Sequence, residues 1–249
     1  MKGVYLGIDL GTSAVKLLAV TRRGDIAGEA DESYPAIYPA GGMCEQSPYE
    51  WIAAISRAMR KLNLGKGDVL GIAVGGQMHG SVVLDGDGKS VRPCILWNDG
   101  RSHEETKYLN ETVGEEALVR MTGNIAFAGF TAPKLMWIKR NEPENFARIR
   151  KIMLPKDYVV YRLTGSFTTD MSDASGTLLY DVGRGEWSEE MCRICSVGRD
   201  MLPEVLRSYE IAGRLNEEGA ELLGLEAGIP VMAGGVVGRG GGGGGGAAE

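Results

Sequence analysis

The stretch YLGIDLGTSAVKLLAV, residues 5–20, decides the fold of this chain. An apolar segment ends at Asp9, a bend follows at residues 11–13 (Gly-Thr-Ser), and a second apolar segment begins. Two apolar runs separated by a glycine-containing bend predict a β-hairpin. The bend also carries a carboxylate and two hydroxyls, with Lys16 shortly after. The apolar packing of a hairpin does not require these polar groups. We therefore expect chemistry at the bend.

Phosphate is the ligand that such a bend suits best. A glycine-rich turn presents main-chain N–H groups to phosphate oxygens, and hydroxyls add donors of the same kind. Asp9 is a hard oxygen ligand suited to Mg²⁺, directly or through water. The Walker A pattern is absent, and the alternatives are a purely structural turn and a Lys16 that faces solvent. The candidate phosphate and Mg²⁺ residues are Asp9, Gly11, Thr12, Ser13 and Lys16.

Composition argues against several classes of function. The chain has 249 residues, 43% of them hydrophobic, which is enough for one large domain or two small ones. A net charge of -6 with no basic block argues against a nucleic-acid partner. No apolar run reaches the roughly 20 residues of a membrane span, and the N-terminus reads as a strand and not as a signal peptide. We therefore expect a cytoplasmic protein with no nucleic-acid or membrane partner.

The cysteines predict neither a metal site nor a redox site. Four cysteines and two histidines give no convincing zinc set. Cys192 and Cys195 form a C-x-x-C pattern, which is typical of redox or metal sites. No thioredoxin-like βαβ pattern surrounds them, so we interpret the pair as neighbours on the buried side of a helix.

The rest of the chain mixes strand and helix patterns. The clearest predicted elements are a strand at 26–34, an amphipathic helix at 47–63, a buried strand running into a glycine-rich loop at 68–80, a helix at 131–149 broken at Pro143, and a buried strand at 228–235. An early meander followed by crossovers predicts an α/β fold.

Several motifs resemble known families. GIDLGTSAVK at residues 7–16 is similar to the first phosphate motif of the actin, Hsp70 and sugar-kinase superfamily. GFTAPKLMWIKRN resembles the signature of the FGGY carbohydrate kinases, with Thr131, Lys134 and Trp137 at the expected spacings. Three further stretches are similar to the xylulose kinase branch of that family: GGQMHG at 75–80, LWNDGR at 96–101 and MSDASGTLLYDV at 171–182. The motifs stand in the family's order across residues 3–235, which makes the resemblance specific.

The resemblance implies an RNase-H-like fold, a mixed sheet flanked by helices, and a kinase that uses ATP and Mg²⁺. Such kinases transfer the γ-phosphoryl group of ATP to a sugar hydroxyl, and an aspartate accepts the hydroxyl proton. Met78 and His79 take the place of the Arg-Glu pair that is usual in glycerol kinases. This favours a ketopentose as the substrate, D-xylulose above all, with ribulokinases and glycerol kinases as the alternatives within the family.

The same resemblance implies a sugar site that combines convergent polar groups with an apolar wall, as a molecule rich in hydroxyls requires. His79 lies on a glycine-flanked loop after a buried strand, where open α/β sheets usually bind ligands. Asp173 is expected to line the sugar cleft or to cap the following turn. Lys134 and Trp137 are expected to be structural, because i,i+3 spacing puts them on one helix face. The candidate substrate-binding residues are Gln77, Met78, His79, Trp97, Asn98, Asp99, Arg101 and Asp173.

The C-terminal part departs from the family pattern. VMAGG at residues 231–235 matches the strand that precedes the catalytic aspartate, but Val237 occupies the position expected for that base. Family members continue into a second domain that holds most of the ATP site. We therefore expect an N-terminal sugar-kinase domain at residues 1–237 and a glycine-rich tail at 238–249 that is disordered or artefactual. Without the ATP domain, this chain is expected to be inactive.

Two other functions compete with the kinase interpretation. A non-catalytic sugar-binding or regulatory module is favoured by the apolar pair Val236-Val237. An ATPase like actin or Hsp70 is favoured by GIDLGTS, but GGQMHG and the signature from Thr131 to Trp137 argue against it. The expected partners are a ketose and ATP, and a homodimer is compatible with the sequence.

Overall fold

The computed structural model describes residues 3–236. Its strands, in chain order, are β1 Val4–Leu10, β2 Ala14–Thr21, β3 Ile26–Ser33, β4 Glu45–Gln46, β5 Val69–Gly76, β6 Val82–Leu84, β7 Cys94–Ile95, β8 Lys151–Met153, β9 Thr168–Asp170, β10 Tyr180–Asp181, β11 Glu186–Trp187, β12 Glu204–Leu206, β13 Ile211–Arg214, β14 Pro230–Met232 and β15 Gly235–Val236. Its α-helices are α1 Pro48–Leu62, α2 His103–Lys107, α3 Glu115–Thr122, α4 Thr131–Asn141, α5 Pro143–Arg148, α6 Pro155–Thr164, α7 Met171–Ser175, α8 Glu189–Cys195 and α9 Glu217–Leu223.

A mixed sheet dominates the described part of the chain, with seven strands in the order β13-β14-β5-β1-β2-β3 and with β15 also paired to β5. β1 and β2 form the predicted antiparallel hairpin, in which Asp9 lies opposite Lys16. β1, β14 and β15 run parallel to β5, so their carboxyl ends point to the same edge of the sheet. The α/β class, the hairpin and the crossovers predicted from the sequence are confirmed.

Helices cover one face of this sheet, because buried and more exposed residues alternate along its strands. Every second residue of β1 is buried, and these side chains share a core with residues of α1, α6 and α9. α1 supplies a buried stripe at helical spacing, formed by Trp51, Ile55, Ala58 and Leu62. This core stabilises the sheet, and the loops of the candidate site extend from the ends of its strands.

A second core surrounds α4 and α8. α4 ends at Asn141 and α5 begins at Pro143, which confirms the predicted break, since proline cannot continue the hydrogen bonding of the preceding helix. Cys192 and Cys195 are buried on α8, as the sequence predicted. Within residues 3–236, no helix is long and apolar enough to cross a membrane.

The segment after Trp97 turns before it becomes helical. The side chain of Asp99 accepts the N–H of Arg101 at 2.9 Å, which closes a turn, and α2 begins at His103. From Tyr108 to Gly114 the chain continues with π-helical hydrogen bonding. Side-chain capture of a backbone donor therefore competes with helix initiation here.

Candidate functional site

The two loops that the sequence singled out begin side by side. Leu10, at the end of β1, is in register with Gly76, at the end of β5, and β15 pairs with the other side of β5. The N–H of Gln77 donates to the carbonyl oxygen of Leu10 at 2.7 Å. The bend at 11–13 and the loop at 77–80 therefore share the edge where open α/β sheets bind ligands.

Main-chain contacts shape the bend. The N–H of Gly11 donates to the carbonyl oxygen of Ala14 at 3.1 Å, and the hydroxyl of Tyr34 donates to the carbonyl of Gly11. A Cβ at Gly11 would lie 2.9 Å from the carbonyl oxygen of Ala14, so a side chain does not fit there without a shift. Thr12 is half-buried and Ser13 is exposed. The bend thus combines a fixed backbone with hydroxyls at the surface.

The surroundings of Asp9 disfavour the ionised form of its carboxyl. Burial raises the pKa of its carboxyl above the usual value, and Lys16 on the neighbouring strand opposes this rise. Lys16 itself is exposed. Within residues 3–236, no group of three or more His, Cys, Asp or Glu side chains is arranged to hold a metal. A Mg²⁺ ion would fit with Asp9 as its carboxylate ligand and with phosphate oxygens or water as the others, which is a usual pattern for Mg²⁺.

A buried amide that the sequence analysis missed connects the bend to the loop. Gln46 on β4 is 1% exposed, and its Nε2 donates to the carbonyl oxygen of Thr12 at 2.6 Å. Its Oε1 accepts from Nε2 of Gln77 and from the indole of Trp51, both at 3.0 Å. The indole of Trp97 also donates to Oγ1 of Thr12, at 3.1 Å. No motif marks Gln46, because Thr12 and Gln77 lie 34 and 31 residues away in sequence.

His79 adopts a strained main-chain conformation. Its φ is 61°, in the left-handed region that costs a non-glycine residue about 1–2 kcal/mol. The centroid of its ring lies 4.9 Å from that of Phe130. A Cβ at Gly176 would lie 2.4 Å from its Nδ1, so only glycine leaves room for the ring. Close contacts on two sides therefore define the orientation of the imidazole.

The imidazole of His79 is neutral at physiological pH. Burial, and then the charge of Lys134, lower the pKa of His79 to about 4, while a hydrogen bond with the backbone of Gly176 opposes the change. Among the described residues, no hydrogen-bond partner is found for its buried Nδ1. A neutral imidazole offers one donor and one acceptor nitrogen, which matches the two hydrogen-bonding roles of a hydroxyl.

The other predicted sugar residues on these loops differ in exposure. Gln77 is 5% exposed, and its buried Oε1 has no partner among the described residues. Met78 is half-buried, Trp97 is 41% exposed, and Asn98 is exposed. The loop therefore presents both an apolar surface and polar atoms at the sheet edge.

Asp99 and Arg101 direct their charges into the protein. Oδ2 of Asp99 accepts from the N–H of Cys44 at 2.5 Å and from Arg101 at 2.7 Å. Arg101 also donates to Glu45 at 2.6 Å, and its guanidinium lies 4.8 Å from the ring centroid of Trp137. These contacts hold the segment at 96–101 in place, and direct sugar contacts by Asp99 and Arg101 stay a prediction.

Asp173 belongs to a buried charge cluster. Its Oδ2 lies 3.3 Å from Nζ of Lys156, which also lies 2.6 Å from Asp157 and 3.1 Å from Asp170. Lys156 also donates to the carbonyl oxygen of Ala233, at 3.1 Å, just after β14. Burial raises the pKa of Asp173 to about 7, with Asp157 and Asp170 adding to the rise and Lys156 opposing it. The N-cap of α7 is Asp170, and the contact of Asp173 with a sugar stays a prediction.

The chain has clear relatives among known proteins. Residues 4–237 match the model of the N-terminal domain of the FGGY family of carbohydrate kinases. A xylulose kinase of Escherichia coli (strain K12) is 42% identical to this chain, over 93% of the chain and 48% of the relative. A xylulose kinase of Staphylococcus xylosus is 40% identical, over 92% and 48%. The chain spans about half the length of the curated relatives it matches.

Solved structures agree with the sequence matches. A "xyloylose kinase" from Brucella ovis has a TM-score of 0.85 and 39% identity, over 94% of this chain and 47% of that one. A xylulose kinase from Rhodospirillum rubrum has a TM-score of 0.89 and 27% identity, over 94% and 49%. The mixed sheet flanked by helices is thus the RNase-H-like fold of the sugar kinases, which confirms the fold class predicted from the sequence.

Proposed function

This chain belongs to the FGGY family of carbohydrate kinases, and from that premise we propose that it forms the sugar-binding half of an enzyme that phosphorylates a ketopentose, D-xylulose above all. ATP is the phosphoryl donor in the proposed reaction. The observation that carries the proposal is the meeting of the phosphate-type bend and the His79 loop at one sheet edge. The names of the relatives from Escherichia coli and Brucella ovis support the choice of sugar.

The sugar is proposed to bind at the loop of residues 77–80. The neutral imidazole of His79, which also contacts the backbone of Gly176, hydrogen-bonds one hydroxyl, and the free Oε1 of Gln77 accepts from another. Met78 and Trp97 form the apolar wall against the carbon skeleton. Unpaired buried polar atoms are rare in folded proteins, so the free atoms of His79 and Gln77 fit a ligand rich in hydroxyls.

The phosphates are proposed to bind at the bend. The N–H of Gly11 is already bonded to Ala14, so the other main-chain N–H groups of the bend and the exposed hydroxyl of Ser13 would face phosphate oxygens, and Asp9 would hold Mg²⁺ directly or through water. Mg²⁺, when bound, neutralises charge on the transferring phosphoryl group. The hydroxyl of Thr12 accepts from Trp97 and keeps its own proton for a further acceptor.

The position expected for the general base holds a residue that cannot accept a proton. Val237, at the position expected for the base, lies outside the described residues, as does the segment 238–249. A valine accepts no proton, and loss of a general base typically lowers a rate by about 10²–10⁴. We therefore propose that this chain binds sugar without turnover. The same valine favours the second candidate function, a non-catalytic sugar-binding module.

Calorimetric titration of the 249-residue chain with D-xylulose, D-ribulose and glycerol tests the proposed sugar class. We expect saturable heat with D-xylulose, a weaker response to D-ribulose and none to glycerol at the same concentration. A chain that is folded by circular dichroism and gives no heat with either ketopentose contradicts the proposal.

A second assay separates the kinase from the binding module. The protein encoded by the complete reading frame is incubated with MgATP and D-xylulose, and release of ADP is followed. Sugar-dependent ADP release supports the kinase. Sugar binding without ADP release supports the module and refutes the phosphotransferase assignment.

A further inference from the structure

The chain turns within three residues at His79. The N–H of Gly80 donates to the carbonyl oxygen of Met78 at 2.7 Å, which closes a turn with His79 at its centre. A three-residue turn with a positive φ at the centre is rare and strained. Such a conformation persists only when the surroundings hold it. Contacts from other parts of the fold must therefore hold His79 in this conformation.

The carbonyl oxygen of His79 has two donors from a distant part of the described chain. Oγ1 of Thr131 lies 3.2 Å away and Nζ of Lys134 lies 3.0 Å away. Lys134 also donates to the carbonyl of Gly129, and its side chain is fully buried. Burial of an ammonium is unfavourable, and it lowers the pKa of Lys134 to about 7. A lysine in this place is explained by the two carbonyl oxygens that it holds.

The first turn of α4 also contacts the imidazole. Phe130, the residue before Thr131, packs its ring at 4.9 Å from that of His79. Gly176 also lies directly against the imidazole, on its Cε1 and Nδ1 atoms. The beginning of α4 thus fixes the backbone of His79 through Thr131 and Lys134, and the ring through Phe130.

We propose that Thr131 and Lys134 are positioning residues for sugar binding: their side chains hold the carbonyl of His79 in the strained turn and so aim its imidazole at the sugar. The inference rests on the proposed function, because it takes His79 as a sugar ligand. It gives a task to Lys134, which the sequence analysis expected to be merely structural, and to Thr131 of the same family-like signature.

Proton NMR of the histidine rings tests this proposal in the 249-residue chain, which holds two histidines. His103 is exposed at the start of α2 and serves as the internal reference. Spectra are recorded well above the pKa of His79 of about 4, so that protonation does not move its Cε1–H signal. Phe130→Leu calibrates the shift that the neighbouring ring causes.

Three variants test the contacts of Thr131 and Lys134 with the carbonyl oxygen of His79, which we call the clamp. Thr131→Val removes the hydroxyl at nearly constant shape, Thr131→Ser keeps it, and Lys134→Met removes the ammonium. We expect Thr131→Val and Lys134→Met to move the His79 signal and to weaken D-xylulose binding, on the order of tenfold or more. Thr131→Ser should retain the wild-type signal and affinity. Lys139→Met, on the exposed side of the same helix, is the matched control and should change neither.

The outcomes separate the clamp from the proposed function. An unmoved His79 signal with unchanged D-xylulose affinity in Thr131→Val and Lys134→Met overturns the inference. If Lys134→Met does not fold, the comparison of Thr131→Val with Thr131→Ser decides. If the wild-type chain binds no ketopentose but the His79 signal still moves in Thr131→Val and not in Thr131→Ser, the clamp stands and the proposed function fails.

Discussion

The bend at residues 11–13 and the loop at residues 77–80 lie at one sheet edge, yet they are held in different ways. The turn of the bend is closed within its own hairpin, in which Asp9 pairs in register with Lys16 and the N–H of Gly11 donates to Ala14. The loop is held at His79 by α4 and Gly176, which are separated from it by roughly 50 residues or more. The turn of the bend is therefore closed by local contacts, to which Tyr34, Gln46 and Trp97 add bonds from a distance, whereas the carbonyl and the ring of His79 are held by residues distant in sequence.

This difference predicts how each half responds to substitution. The bend keeps polar groups at the surface, so changes there should alter charge and leave the fold intact. The loop places a neutral histidine in a strained turn between close neighbours, so small changes in those neighbours should displace it. Small remote changes should therefore affect sugar binding more than changes at the bend.

Gly176→Ala should give the largest effect. The added Cβ would lie 2.2 Å from Cε1 of His79, so the ring must leave its position. We expect D-xylulose binding to fall below detection by calorimetry, and the free energy of unfolding to fall by about 1–3 kcal/mol, as is usual for overpacking. Gly86→Ala is the control, since no atom lies within 4 Å of its added Cβ. Wild-type sugar affinity in Gly176→Ala would show that the orientation of His79 is irrelevant to binding.

His79→Ala should have the next largest effect. The loss of one buried hydrogen-bonding group costs about 1–3 kcal/mol, so D-xylulose affinity should fall by about 5- to 150-fold while the melting temperature changes little. His103→Ala, which alters an exposed residue on α2, should keep the wild-type affinity. Equal affinities in both variants would remove His79 from the sugar site.

The bend was the part most readily predicted from the sequence. Its glycine, hydroxyls and carboxylate are neighbours in the chain, and local turn chemistry determines what they do. The break at Pro143 was also predicted, because proline acts on the helix that contains it. The fold class followed from the same local patterns and from the order of the motifs.

The rest of the site could not be read from the sequence, because its contacts cross the fold. Nothing in the composition around Gln46 shows that it bridges Thr12 and Gln77. Lys134 was expected to be structural from helix spacing, but its contact with His79 appears only when α4 is packed against the loop. Arg101 and Asp99 share the sequence stretch of the candidate sugar residues, and only tertiary packing shows that they bond to Glu45 and Cys44.

Asp9→Asn should slightly increase the stability of the folded chain at neutral pH. Burial raises the pKa of Asp9 above 3.8, so the ionised carboxylate lowers the stability of the folded state once the pH rises through this range. The variant should be slightly more stable than wild type at about pH 7.5, and the two should converge as the pH falls below 3.8, as measured by urea unfolding. Sugar affinity should not change. A large loss of stability would mean that Asp9 is a structural residue of the turn.

His79 itself should add no pH dependence to sugar binding, which is the smallest effect expected, and the pH dependence that is present should come from Lys134 and Asp173, whose pKa values are about 7. The pKa of His79 is about 4 in the folded chain, so the imidazole stays neutral and its hydrogen bonding is constant from about pH 5 to about pH 8. Calorimetric titrations with D-xylulose across this range check the prediction. A loss of affinity with falling pH, centred near 6.5, the ordinary pKa of a histidine, and absent from His79→Ala, would show that the ring is solvated and not enclosed.

The most direct test of the account is an NMR titration of the 249-residue chain with D-xylulose, followed at the two histidine rings. If His79 contacts the sugar, its Cε1–H signal moves and saturates with the same dissociation constant that calorimetry gives, while the His103 signal stays in place. The same titration with glycerol should move neither signal. A His79 signal that does not move while D-xylulose saturates the chain would place the sugar elsewhere and contradict the account.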